Sequence, residues 1–122
     1  MIKGIGIDII EIKRVEKALK KWGKLFEKRV FTQKERENAS YLRKKAKLTY
    51  LAGRFAAKEA VFKSLGGGIS WQDVEILTKE NGQPYLTLTK KTKEVLDKKG
   101  IKKILLTISH NNDYAIAQAM AL

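Results

Sequence analysis

The chain has 122 residues, of which 43% are apolar and 32% charged, so we expect one folded domain covering residues 1–122. It has no cysteine and one histidine, which excludes disulfides, thiolate catalysis and histidine-rich metal sites, and it lacks the apolar run of a signal peptide or membrane span, so we expect a soluble, cytoplasmic protein. The net charge of +13 predicts an anionic partner or substrate, and composition leaves nucleic acid, anionic lipid, phosphorylated metabolites and acidic proteins open.

The first predicted element is a strand over residues 2–10. Its side chains alternate between an apolar side, with Ile5, Ile7 and Ile9, and a side made of two glycines and Asp8. Because glycine lacks a Cβ atom, a ligand or a second stretch of backbone can come close to the glycine side.

A helix follows from Glu11 to about Phe26. Apolar residues form one side of it, and at about 100° per residue the basic side chains fall within about 120° on the other side. These basic residues are Lys13, Arg14, Lys17, Lys20, Lys21 and Lys24. The helix therefore presents a nearly continuous cationic face, for which the plain alternative is a solvated surface in a lysine-rich protein.

Two further helices are predicted in the middle of the chain. Thr32-Gln33-Lys34-Glu35 has the form of a capping box and starts a helix that ends near Lys45. The next helix covers about Lys47 to Leu65 and is stopped by glycines from Gly66 onward. Its apolar stripe consists of Leu48, Leu51, Ala52, Phe55 and Phe62. Glu59 falls about 20° from the centre of that stripe, which places a carboxylate on a buried face.

The last third of the chain reads as two pairs of strands around a short helix. Strands over 71–78 and 85–89 flank the turn signal Asn81-Gly82, a helix covers 90–99, and strands cover 101–109 and 114–122. The order βαααββαββ predicts an α+β fold with an antiparallel sheet packed against the long central helix. The final strand has an alanine face, which allows either a neighbouring subunit or a tight contact within the chain.

The predicted burial of Glu59 requires a partner, because an unpaired buried carboxylate costs several kcal/mol. A salt bridge to Lys63, one turn further along, is the simplest explanation. Asp8, beside two glycines on one side of a strand, is a second carboxylate that a merely solvent-exposed polar position does not readily explain. Two carboxylates without a His or Cys cluster favour a hard cation such as Mg²⁺, which adds water and phosphate oxygens to its ligands. Lys63, Lys58 and Arg54 would then neutralise phosphate groups.

Four segments of the chain carry a resemblance to a known family. They are GIGIDIIEIKR at 4–14, LAGRFAAKEA at 51–60 with Lys63, NGQPY at 81–85, and ISH at 108–110. In combination and order they resemble the holo-[acyl-carrier-protein] synthases, the short single-domain type of 4'-phosphopantetheinyl transferase. The resemblance spans nearly the whole chain, and Gln83 stands where the family often carries Lys or Arg.

The resemblance implies an activity: transfer of the 4'-phosphopantetheine arm of coenzyme A to a serine of apo acyl carrier protein, which releases adenosine 3',5'-bisphosphate and supports fatty acid biosynthesis. It implies Mg²⁺ bound by Asp8 and Glu59, and Lys63 as a catalytic residue close to the reacting phosphate. Glu59 or a water molecule on the metal would act as the base for the serine hydroxyl, and the sequence leaves both open.

The resemblance also implies binding surfaces and an assembly. Coenzyme A is expected at Lys45, Arg54, Lys63, Gly66, Asn81, Pro84, Ser109 and His110. The last two would come from the neighbouring subunit of a homotrimer whose active sites lie between chains; the plain alternative for His110 is a turn histidine satisfied by local hydrogen bonds. The acidic carrier protein would dock on the cationic helix at Arg14, Lys17, Lys21, Lys24 and Phe26.

Two other functions fit the charge. A nucleic-acid-binding module would combine basic residues with exposed aromatic side chains, but most aromatics here fall at core-facing positions and no recognition motif is visible. We therefore expect no nucleic-acid partner. A non-enzymatic scaffold for acidic proteins would use the first helix, but it leaves Glu59 unexplained.

Overall fold

The computed structural model describes all residues from 1 to 122. Its elements are β1 (Gly4–Glu11), α1 (Ile12–Trp22), α2 (Lys24–Val30), α3 (Gln33–Ser40), α4 (Lys44–Leu65), a 3₁₀ turn (Trp71–Asp73), β2 (Val74–Thr78), β3 (Pro84–Leu88), α5 (Lys90–Lys98), β4 (Ile104–His110) and β5 (Tyr114–Ala121). The predicted α+β class is confirmed. One helix was missed, because the first predicted helix ends at Gly23, whose φ of 54° no helical residue adopts.

The strands form two antiparallel sheets. β1, β5 and β4 make a three-stranded sheet with β5 in the middle, and β2 and β3 make a separate hairpin. Helix α4, the longest element at 22 residues, lies across one face of the three-stranded sheet and also contacts β2. This helix therefore connects the two sheets, and its 11 buried residues, out of 28 in the whole chain, are the largest contribution of any element.

The glycines of β1 bring that strand into direct contact with the backbone of α4. A Cβ atom built on Gly4 would lie 1.9 Å from the carbonyl oxygen of Ser64, and one on Gly6 would lie 1.8 Å from that of Ala60. The alanine face of β5 lies on the same side of the sheet and is buried against α4; its members are Ala115, Ala117, Ala119 and Ala121. Of the two explanations for this alanine face, the tight contact within the chain is correct.

The opposite face of the same sheet is apolar and uncovered. We call it the outer face, and it is formed by side chains that are 36% to 62% exposed, namely Ile5, Ile7, Ile9, Leu105 and Ile116. The isoleucine side of β1 thus points away from the core, and its glycine side points into it. None of the helices is both long enough and apolar enough to cross a membrane.

Candidate active site

Asp8 lies on the glycine side of β1, where the strand passes over the C-terminal half of α4. Its side chain is only 16% exposed, and its Oδ1 lies 3.2 Å from the Nζ of Lys63. The same Nζ donates a hydrogen bond to the carbonyl oxygen of Ile7 at 2.9 Å. Lys63 therefore pairs with Asp8 across the strand–helix contact, and the simple alternative to a metal site, a salt bridge from Lys63 to Glu59 on the same helix, is not formed.

Glu59 lies beside this pair, at the edge of the buried stripe of α4 and partly exposed. Asp8 and Glu59 line the same cavity of about 260 Å³, which we call the carboxylate cavity, together with Arg14, Phe26 and Phe55. Burial raises the pKa of Glu59, the negative charge of Asp8 raises it further, and Lys63 lowers it in part. The strand and the helix thus bring the two predicted carboxylates together.

This pair of carboxylates fits a divalent cation. Two negative groups that repel each other at one cavity are stabilised by a cation between them, and oxygen donors are those that Mg²⁺ prefers. The chain has no cluster of three or more His, Cys, Asp or Glu side chains able to hold a metal. A cation bound here would therefore take its remaining ligands from water and from a phosphorylated substrate, which is the usual pattern for Mg²⁺.

The predicted role of Lys58 as a phosphate counter-charge is wrong. Its side chain is fully buried, and its Nζ lies 2.7 Å from Oε1 of Glu35. The remaining donors go to the carbonyl oxygens of Val30 at 2.7 Å and Trp71 at 2.9 Å. Because an ammonium group has three N–H donors, no donor is left for a ligand.

A second concave surface, which we call the basic cleft, lies at the other end of α4. It has a volume of about 600 Å³, and the predicted coenzyme A residues Lys45, Arg54 and His110 all line it. The Arg54 guanidinium lies 3.9 Å from the centre of the Tyr50 ring and donates hydrogen bonds to the carbonyl oxygen of Ile76 and the hydroxyl of Thr78. Burial lowers the pKa of Arg54, and the nearby Tyr50 and Glu35 oppose that effect. The cleft is therefore a preformed cationic surface.

The other predicted coenzyme A residues do not line either concavity within one chain. Gly66 ends α4 in the left-handed conformation, Asn81 accepts a hydrogen bond from the Gln83 amide in the turn after β2, and Pro84 begins β3. Ser109 pairs with Ile116 in the sheet and is exposed. Since Ile116 belongs to the outer face, Ser109 points to that face as well.

The cationic helix is shorter than predicted. Arg14, Lys17 and Lys21 are exposed on α1, and Arg14 reaches the carboxylate cavity. Lys24 and Phe26 belong instead to α2, because the chain turns at Gly23. Phe26 is partly buried, with its ring 6.4 Å from that of Phe55. It is thus a wall of the carboxylate cavity more than a protruding anchor.

Sequence reasoning missed three residues that shape these surfaces. Trp71 contacts Phe55 and Phe62 with ring centres 5.1 and 5.0 Å apart, Tyr50 stacks on Arg54, and Glu35 pairs with Lys58. The capping-box motif was a signal for Glu35, and the box forms as predicted. The capping box accounts for the hydrogen bond of only one carboxylate oxygen of Glu35. The other oxygen accepts a hydrogen bond from the Ile76 amide at 2.7 Å.

Comparisons with known proteins agree with this geometry. A family model described as the 4'-phosphopantetheinyl transferase superfamily matches residues 4–119. The chain is 47% identical to a holo-[acyl-carrier-protein] synthase of Alkaliphilus metalliredigens, over 99% of each chain. Its fold is similar to the crystal structure of holo-[acyl-carrier-protein] synthase from Neisseria meningitidis, with a TM-score of 0.93, 34% identity, and coverage of 100% of this chain and 99% of that one. It is also similar to the Helicobacter pylori enzyme in complex with coenzyme A, with a TM-score of 0.83, 34% identity, and coverage of 97% and 99%.

Proposed function

The chain belongs to the 4'-phosphopantetheinyl transferase superfamily, and from that membership we infer that it acts as a holo-[acyl-carrier-protein] synthase. It transfers the 4'-phosphopantetheine group of coenzyme A to a serine of apo acyl carrier protein. In this reaction the serine oxygen forms a bond to the phosphorus that carries pantetheine, the bond from that phosphorus to the bridging oxygen of the pyrophosphate breaks, and adenosine 3',5'-bisphosphate leaves. The product, holo acyl carrier protein, would serve fatty acid biosynthesis.

One observation carries the assignment of the site: Asp8 of β1 and Glu59 of α4 face the same cavity although they are far apart in the chain. We propose that these two residues hold Mg²⁺. When bound there, the ion would neutralise the pyrophosphate and the negative charge that develops on it during transfer. Burial first and the negative charge of Asp8 second raise the pKa of Glu59, and a cation bound between the two carboxylates would offset both effects.

Lys63 would bind the reacting phosphate group. Two of its three N–H donors are used by the Ile7 carbonyl and Asp8, so one donor remains for a phosphate oxygen. The Lys63 side chain is 53% exposed next to Asp8, so a substrate in the carboxylate cavity can reach it. Glu59 would accept the serine proton, directly or through a water molecule, which requires the ionised carboxylate.

The adenosine bisphosphate end of coenzyme A fits the basic cleft, where Lys45 and Arg54 supply positive charge and His110 supplies a further hydrogen-bonding group. Within one chain this cleft and the carboxylate cavity have no lining residue in common. We therefore propose that the cleft of one chain completes the cavity of its neighbour in a homotrimer. The uncovered apolar outer face supports this, because patches of this kind mark protein interfaces. Gly66, Asn81, Pro84 and Ser109 would reach coenzyme A only in that assembly.

The carrier protein would dock on α1 and the start of α2. Arg14, Lys17, Lys21 and Lys24 are exposed there and lead toward the carboxylate cavity, which Arg14 lines. Acyl carrier proteins are acidic, so opposite charges would bring the target serine to the cavity and speed the encounter. We place the reaction in the cytoplasm, as expected for a chain without cysteines.

The direct test is a mass-shift assay. With Mg²⁺ and coenzyme A, the protein is expected to add one phosphopantetheine mass to an apo acyl carrier protein, while Asp8→Ala and Glu59→Ala lower the rate at least about 100-fold. Glu94→Ala, which removes an exposed carboxylate on α5, is the matched control and should keep full activity. Full turnover by both cavity variants would overturn the proposed site, and no mass shift with the unaltered protein would overturn the activity.

A further inference from the structure

The buried ion pair between Lys58 and Glu35 has no role in the mechanism above, although it lies directly beside the site. Both side chains are fully buried, and every N–H of Lys58 is used within the protein. Glu35 accepts from the Thr32 amide at 2.8 Å and from the Ile76 amide at 2.7 Å, in addition to Lys58. A buried pair of this kind adds little to stability compared with apolar residues of the same size, so its directional bonds call for an explanation.

These bonds fix separate segments onto one turn of α4. Lys58 holds the carbonyl groups of Val30 at the end of α2 and Trp71 in the 3₁₀ turn, and Glu35 holds the amide of Ile76 in β2. The next residue after Lys58 is Glu59. The network therefore anchors loops and strands to the turn of the helix that carries the candidate metal ligand.

Trp71 connects this network to the face of Glu59. Its carbonyl oxygen is held by Lys58 at 2.9 Å, and its ring contacts both Phe55 and Phe62, with ring centres 5.1 and 5.0 Å away. Those two residues stand four before and three after Glu59, so all three share one face of the helix. The Trp71 ring thus lies across the turn that carries Glu59, and Phe55 extends the same wall into the carboxylate cavity.

We propose that the buried Lys58–Glu35 pair is a positioning device for transfer, which holds the Trp71 ring across α4 and thereby fixes the direction of the Glu59 carboxylate toward Asp8. The proposal rests on the proposed function. Charged hydrogen bonds would set the position of the aromatic wall formed by Trp71 and Phe55, because the direction of such bonds is more narrowly defined than that of apolar contacts. An error of about 1 Å in such a wall is enough to lower a rate about 100-fold.

The main test replaces the pair by uncharged side chains of similar size, in the double variant Glu35→Gln with Lys58→Met. No buried charge is left unpaired, but the carbonyl groups of Val30 and Trp71 lose the Lys58 donor, so the variant is expected to unfold cooperatively at a moderately lower temperature than the unaltered protein. Its kcat should fall about 10- to 100-fold. Its KM for coenzyme A should stay within about two-fold, because the basic cleft does not include either residue.

The position of Trp71 is measured independently of activity. The chain has two tryptophans, so a Trp22→Phe background leaves Trp71 as the only emitter. In that background, loss of the pair should shift the emission to longer wavelength and increase quenching by acrylamide. Leu96→Ala is the matched control: it cuts a buried side chain of α5, and should lower stability while leaving kcat and the Trp71 emission unchanged.

Two results would overturn the proposal: a folded double variant with unchanged kcat, or one that loses kcat while the Trp71 emission stays the same. If the double variant fails to fold, Trp71→Leu takes its place, since it removes the ring and keeps the carbonyl group that Lys58 binds. It must lower kcat at constant KM for coenzyme A, and unchanged kcat would again overturn the proposal. A lack of transfer by the unaltered protein would overturn the proposed function instead, and the emission would still show whether the pair positions Trp71.

Discussion

Gly6 and Ala60 are in direct backbone contact, since a Cβ atom on Gly6 would lie 1.8 Å from the Ala60 carbonyl oxygen. Asp8 is two residues further along the same side of β1, and Glu59 precedes Ala60 in α4. The missing side chain of Gly6 therefore sets how closely the two carboxylate-bearing elements approach each other.

Substitution of Gly6 by alanine is expected to lower both stability and activity. The added methyl group meets backbone atoms that cannot rotate away, so β1 must shift, at a cost of about 2–3 kcal/mol. The same shift separates Asp8 from Glu59 and lowers the transfer rate at least about ten-fold. Thermal unfolding and the mass-shift assay measure the two effects.

Gly53→Ala is the matched control for this change. A Cβ atom there meets only the Cγ2 of Ile108 at 3.3 Å, which is the end of a side chain, and alanine favours the helix. Its melting temperature should be equal to or higher than that of the unaltered protein. An equal loss of stability in both variants would contradict the role given to Gly6.

Glu59→Gln is expected to stabilise the protein at neutral pH and to abolish transfer. The pKa of Glu59 is raised, first by burial and then by Asp8, so the folded state binds the proton more tightly than the unfolded state. The contribution of Glu59 to the free energy of unfolding is therefore greatest at pH values below the pKa that Glu59 has in the unfolded chain. This contribution is lost as the pH rises through the higher pKa that Glu59 has in the folded protein. The advantage of the glutamine variant in melting temperature should thus be present at pH 7 and disappear in acid. An advantage that does not vary with pH would contradict this account.

Arg54→Lys is expected to raise the KM for coenzyme A about ten-fold with a smaller change in kcat. Lysine lacks the planar group that stacks on Tyr50. Since all its donors are on one nitrogen, it cannot reproduce the separate Nε and Nη2 bonds to Ile76 and Thr78. Tyr50→Leu should raise the same KM by a smaller factor, because it removes the ring on which the Arg54 guanidinium stacks and leaves the hydrogen bonds of Arg54 to Ile76 and Thr78 in place. Steady-state kinetics at varied coenzyme A concentration would reveal the change. An unaltered KM in both variants would show that coenzyme A does not bind in the basic cleft.

Lys17→Ala combined with Lys21→Ala should raise the KM for the carrier protein about three- to ten-fold and leave that for coenzyme A unchanged. The effect should shrink as salt is added, because these side chains are exposed and their attraction is screened. Lys98→Ala combined with Lys102→Ala removes the same charge from α5 and the loop after it, and serves as the control. If both pairs of substitutions weaken carrier binding equally, only net charge matters and docking on α1 is wrong.

The proposed trimer makes a prediction about mixed assemblies. Asp8→Ala damages the carboxylate cavity and His110→Ala damages the basic cleft, so each variant alone should be inactive or nearly so. When the two are unfolded together and refolded as a mixture, some assemblies pair an intact cavity with an intact cleft, and activity should return. No recovery in the mixture would contradict a site shared between chains.

Ile7→Asp on the outer face should give a monomer in analytical ultracentrifugation, and this monomer should have no transfer activity.

The sequence was most informative where local rules determine structure. The alternation in β1, the capping box at Thr32 and the glycine stop at Gly66 each predicted an element boundary close to the observed one, although the helix that starts at the capping box ends at Ser40 and not near Lys45. The acidic pair was predicted from residue types on two such elements. Helix periodicity placed Glu59 near the centre of the stripe, whereas it lies at the edge, because the position of the sheet across α4 decides which part of a helix is covered.

What the sequence did not predict depends on contacts between distant segments. The pairing of Lys58 with Glu35, and of Lys63 with Asp8 in place of Glu59, is set by the packing of α3 and β1 on α4. The burial of the alanine side of β5 and exposure of the isoleucine side of β1 follow from the same packing. Spacing within one helix contains no information about partners from other elements.

The close packing of β1 and β5 on α4 also limits which amino-acid substitutions this protein tolerates. At Gly4, Gly6 and the alanine side of β5, larger residues would have no space to enter. A library of all single substitutions should therefore show intolerant positions at every second residue of these two strands, even at positions without any chemical role. Within these two strands, neutral substitutions would be confined to the alternate positions, whose side chains point to the outer face.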